Sequence, residues 1–148
     1  MKTALAALAL ALSALPALAE GIVRVESSRD VGATMDALQA VVEGAGATVF
    51  TRIDHGAGAR SVGSEIGDSQ LLVFGNPALG TPAIEADRLA GLYLPLKVLV
   101  FEDGDGKVWL AYEPPAETLG DLDIPSDAEV LAKMAGALKT LTAAAAGG

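Results

Sequence analysis

The chain has 148 residues, with ten basic side chains against nineteen acidic ones, and a formal charge of −9. Such an acidic chain repels polyanions, and its arginines (Arg24, Arg29, Arg52, Arg60, Arg88) stand singly, which argues against nucleic acid as a partner and makes anionic membrane a poor one. It contains no cysteine, which removes thiolate catalysis, cysteine-ligated zinc, iron–sulfur clusters and covalent c-type haem and leaves stability to packing.

Residues 1–19, MKTALAALALALSALPALA, read as a signal peptide. Lys2 supplies the positive start, residues 4–15 the apolar stretch, and Ala17-Leu18-Ala19 a small-x-small cleavage site. The run is short for a membrane span, so no stable membrane insertion is expected. The mature chain then starts at Glu20 and is periplasmic or secreted. Residues 20–142 are long enough for a single domain with a buried core, and residues 143–148 are expected to be a flexible tail.

Residues 21–26 alternate as a first strand does, and Ser27 or Ser28 can cap a helix with Asp30 in its first turn. Val31, Met35, Leu38 and Val42 fall on one helical face, ended by Gly44-Ala45-Gly46. Residues 47–54 are rich in strand formers. Residues 55–70 are polar and Gly-rich, either a loop or a weak helix over about residues 57–62. Residues 71–74 read as a buried strand, and Thr81-Pro82 as the start of a short helix reaching about Ala90. Residues 96–102 and 107–113 flank Asp103-Gly104-Asp105-Gly106, a hairpin pattern. Pro114-Pro115 ends the second strand, and residues 116–125 read as a surface loop. Ser126-Asp127-Ala128-Glu129 reads as a capping box before a stripe of Val130, Met134, Leu138 and Leu141. Strands bunched between terminal helices predict an α+β fold, mainly antiparallel, with helices on one face.

Gly75-Asn76-Pro77 and Gly80-Thr81-Pro82 have the glycine spacing of a phosphate loop. The Lys that such a loop needs is missing, and Pro77 and Pro82 remove N–H donors, so this loop is not a nucleotide triphosphate site. A turn is the preferred reading, with contact to a small ligand as the alternative. Asp54-His55, at a strand end, could orient an imidazole, cap the next segment or contact a ligand, and capping is preferred. The single histidine with scattered carboxylates makes no metal site. Asp103-Gly104-Asp105-Gly106 lacks the other ligands of a calcium loop. Trp109 and Tyr112 point to opposite faces, with core the preferred place for Trp109. Lys97 opens an apolar strand, exposed by preference but able to point into a cleft.

Five motifs occur in one order: Ile53-Asp54-His55, Leu72-Val73-Phe74-Gly75-Asn76-Pro77, Gly80-Thr81-Pro82, Leu94-Pro95-Leu96-Lys97-Val98 and Asp105-Gly106-Lys107-Val108-Trp109. Together, over about residues 21–142, they resemble the domain of unknown function 302 (DUF302) family. The resemblance implies a TATA-binding-protein-like β-α-β4-α fold, without implying DNA binding, and carries no established activity. Gly56, Gly58 and Gly63 depart from the family's Ala-rich pattern and put a helix there in question.

The function expected is an exported, soluble small-ligand binding module. Its site is a cleft where the 54–55 strand end, the 75–82 loop and the 93–97 segment converge, with Asp54, His55, Gly75, Asn76, Pro77, Thr81 and Lys97 as candidate contacts. One alternative is a small periplasmic enzyme using His55 and Asp54 as an acid–base pair. The other is a structural homodimer. No cofactor is assigned.

Overall fold

The structure, a computed structural model, describes residues 21–147; the signal peptide expected over residues 1–19 lies outside them. Five strands form one sheet in the order β1-β5-β4-β3-β2: β1 Val23–Ser27, β2 Thr48–Asp54, β3 Ser69–Gly75, β4 Leu96–Glu102 and β5 Val108–Tyr112. Every neighbouring pair is antiparallel. The helices are α1 Val31–Gly44, α2 His55–Ser61, α3 Pro77–Ala86, α4 Pro115–Thr118 and α5 Glu129–Ala145, with a 3-10 turn over Arg88–Leu92. This is the α+β arrangement anticipated from the order of elements.

Alternation along the strands sends Leu72, Phe74, Val98, Val100 and Leu110 to one face, where they are buried. Val31, Met35, Leu38 and Val42 of α1 close over them, as their helical spacing predicts, together with Leu138 and Leu141 of α5. Tyr112 lies on this face. Trp109 does not: it sits half-buried on the opposite face with Leu71, Leu99 and Phe101, which corrects its assignment to the core. A second, smaller core joins Ala83, Ala90, Leu119, Ile124, Leu131 and Met134. Leu96 packs against both cores.

Several helix starts differ from expectation. Asp30 is itself the N-cap of α1, its carboxylate accepting from the Ala33 amide at 2.7 Å. The helix expected from Thr81 begins at Pro77 instead, capped by Asn76, because Asn-Pro offers the same N-cap and first-turn chemistry one turn earlier. Pro82 is therefore inside α3, where it withholds one intrahelical donor. The capping box before α5 does not form. Ala128 is the N-cap without a side-chain bond, and Glu129 stands at the first helical position, paired with Lys133 at 2.9 Å.

Two segments expected to be loose are anchored. Residues 116–125 include Leu119 and Ile124, both buried in the second core. The tail expected to be flexible from Ala143 continues α5 to Ala145, with Ala145 and Ala146 buried. Arg29 from beyond β1 donates to the Ala145 carbonyl at 2.6 Å and so satisfies an orphan acceptor of the last turn.

Candidate functional site

Neighbouring antiparallel strands need only a two-residue hairpin between them. Between β3 and β4, residues 76–95 intervene, carrying α3 and the 3-10 turn. Much of this segment lines a cavity of about 540 Å³, within the usual range of small-ligand pockets. Leu79 and Ile84 of α3 line it together with Leu94, Leu96 and, from α5, Met134. Asn76 and Thr81 add an amide and a hydroxyl.

Phe50 completes the mouth, and its place follows from a fault in β2. The pairing of β2 with β3 shifts register between Val49 and Thr51, leaving Phe50 in a bulge that re-aims its ring outward. Phe50 is 60% exposed. Gly75 sits between this ring and Pro95. A Cβ there would lie 3.2 Å from Phe50 Cε2 and 3.3 Å from the Pro95 Cβ. Glycine at position 75 thus lets the two rings approach, a role of missing side chain rather than of backbone freedom. The Leu94–Pro95 peptide is cis.

Four candidates meet here: Gly75, Asn76, Pro77 and Thr81 all line the cavity. Asn76 spends its Oδ1 on the Ala78 amide, 2.9 Å away, leaving its Nδ2 for other partners. Thr81 offers its hydroxyl from within α3; the helix-start amides expected there belong to the turn after Asn76. Lys97 lines a neighbouring cavity of about 340 Å³, with its Nζ donating to the Tyr93 carbonyl at 3.1 Å.

Asp54 and His55 do not join them, and the expected convergence is corrected. In the antiparallel pair, Asp54 lies opposite Gln70 and Thr48 opposite Gly75. The chain therefore leaves β2 and β3 at opposite ends of the sheet, roughly 17 Å apart at strand rise. Asp54 caps α2, accepting from the Ala57 amide at 2.7 Å, and His55 is the exposed first residue of that helix. The helix put in question by its glycines is present. Gly56 serves it directly, since a Cβ there would come within 2.9 Å of the Gly67 carbonyl. Among the described residues, no three His, Asp or Glu side chains are grouped to hold a metal ion.

Sequence reasoning missed Phe50, Leu79, Ile84 and Met134. Phe50 carried a faint signal as the residue that breaks strict alternation in Val49-Phe50-Thr51. The others are apolar helix residues whose outlet into a cavity no local pattern announces.

The model for the domain of unknown function DUF302 matches residues 23–141. The chain belongs to the DUF302 family. A crystal structure of an uncharacterized conserved DUF302 protein from Bacillus stearothermophilus superposes with a TM-score of 0.78, covering 86% of this chain and 99% of that one. At 19% identity this likeness speaks to the fold. Among curated proteins, a Brucella suis protein named fluoride-specific ion channel FluC 1 is 41% identical over 129 residues, 86% of this chain and 50% of that protein. The Brucella melitensis protein named FluC 2 is also 41% identical, with 47% of its length covered. The chain spans about half the length of the curated relatives it matches.

Proposed function

We propose that this DUF302 domain is a small-ligand binding module and, with residues 1–19 read as a signal peptide, an exported one. One observation carries the reading: the cavity beneath residues 76–95, walled by apolar side chains and supplied with two uncharged polar ones. Apolar walls gain by shedding water onto an apolar ligand, while Asn76 and Thr81 give it an orientation. An excursion longer than the strand connection needs is a common place for a binding site. The acid–base alternative loses its support because His55 and Asp54 lie away from the cavity and Asp54 is occupied as a cap.

The channel name of the Brucella relatives belongs to chains about twice the matched length, and fluoride conduction is not proposed for this chain. Among its described residues no helix is long and apolar enough to cross a membrane.

The test fills the cavity. Gly80 lies on its wall, where an added Cβ would meet the Leu94 Cδ1 at an ordinary 3.7 Å. Titration with the neutral apolar dye N-phenyl-1-naphthylamine should give a saturable fluorescence rise. Gly80→Leu should weaken it at least tenfold without lowering the unfolding midpoint, while Gly80→Ala should change it little. Absence of saturation in the unmodified protein, or equal binding by Gly80→Leu, defeats the reading.

A further inference from the structure

The two cavities are neighbours with a common wall. Leu94, Leu96 and Met134 line both the larger cavity, of about 540 Å³, and the smaller, of about 340 Å³. Met134 is almost fully buried, at 1% exposure. An unbranched thioether with three rotatable bonds is the side chain best suited to yield its place to a ligand. The cavities differ in charge. Every residue lining the larger one is uncharged, so a charged group placed there would lose its hydration without a partner. The smaller one has Lys97 and Glu113 on its wall. Lys97 forms no ion pair among the described residues; its ammonium donates only to the Tyr93 carbonyl, leaving further donors free.

We propose that the two cavities are one site for a single-chain anionic amphiphile of the fatty-acyl class. Its chain lies past Met134 in the larger cavity and its acidic head meets Lys97. This rests on the small-ligand reading above and names the ligand's chemistry. The polarity has a physical direction: the uncharged cavity takes the methylene chain, and Lys97, the only cation on either wall among the described residues, takes the head. Glu113 lines the same cavity as Lys97 and opposes an anionic head there, which fixes the sign of its effect. The same chemistry is offered by a free fatty acid and by an anionic lysophospholipid.

Displacement of N-phenyl-1-naphthylamine separates the possibilities. Dodecanoate should compete about tenfold better than dodecanol at low salt, where charge pairing is least screened. Lys97→Met, which keeps the aliphatic stem at an exposed position, should abolish that preference, and Lys97→Arg should restore it. Glu113→Gln should strengthen dodecanoate and leave dodecanol unchanged. Lauroyl lysophosphatidylglycerol, run in parallel, supports a lipid source if it competes better than dodecanoate, and a free acid if worse. Equal competition by dodecanoate and dodecanol, or a preference that survives Lys97→Met, overturns the amphiphile while the dye still reports the cavity. No dye binding at all overturns the cavity reading and this one together.

Discussion

Asp103 shows how much one carboxylate organises. Its Oδ1 accepts from the amides of Asp105 and Lys107, at 3.0 and 2.9 Å, which closes the β4–β5 turn. Its Oδ2 accepts from the Trp109 indole at 2.7 Å, and the Lys107 ammonium lies 5.8 Å from the centre of the indole ring. The Trp109 indole, followed by the Lys107 amide, holds the Asp103 carboxyl below its ordinary range. A depressed folded pKa adds stability that is complete above the unfolded value of about 3.9 and is lost as pH falls through the folded value. Trp109 is the only tryptophan, so its fluorescence reports on this bond. Acid titration should show a transition with its midpoint below that of a free aspartate, and Asp103→Asn should remove it. An unchanged transition in the variant would mean that another group is being read.

The helices separate what local pattern can tell from what it cannot. In α5, Leu138 is 1% exposed and Lys139 is on the outside. Leu138→Ala should cost about 2–5 kcal/mol, the range for truncating a buried leucine. Lys139→Ala should stay within about 0.5 kcal/mol of neutral. Urea unfolding checks both, and equal losses would show that the buried face is wrongly assigned. That face was readable because apolar residues recur at helical spacing through Met134, Leu138 and Leu141, as they do in α1, although at its start Leu131 and not the expected Val130 is the buried residue. The start of α3 was not readable, since Asn76-Pro77 and Thr81-Pro82 carry the same signal and only packing against the second core chooses between them. The capping box before α5 failed for a related reason. Its Glu129 found Lys133 one turn on, and the chain enters from a loop pinned by Ile124. Asp87, by contrast, ties the 3-10 turn to this loop by accepting from the amides of Leu89 and Asp123, a link no spacing rule suggests.

At the scale of the molecule, the sheet has two ends with different tasks. Gly75, Leu96 and the cavities occupy one, while α2, the β4–β5 turn and the end of α5 occupy the other. The five motifs identified the family, but linear order could not say that Asp54-His55 and Asn76 fall at opposite ends. That follows from strand direction, which only the pairing reveals. The far end is held by a clamp written in small residues. Ser27 Oγ and Thr34 Oγ1 lie 2.7 Å apart in a buried contact, the Ser28 amide donates to the Ala146 carbonyl at 3.3 Å, and Arg29 donates to that of Ala145. Gly147 follows with φ +86°, and a Cβ on it would stand 3.0 Å from Ser28 Oγ. The last turn of α5, residues 143–145, is all alanine, and an unanchored helix end of this kind frays, so its order depends on the clamp. Arg29 supplies both a donor and a positive charge at the negative end of the helix dipole. Arg29→Ala should therefore cost about 1 kcal/mol, below the usual range for a charged hydrogen bond because the side chain is exposed. Amide exchange at Ala145 and Ala146 should quicken, while dye binding at the opposite end stays unchanged. Exchange at those amides as slow as in the unmodified protein would show that α5 ends in order without Arg29. Weakened dye binding with an intact last turn would show that the two ends are coupled.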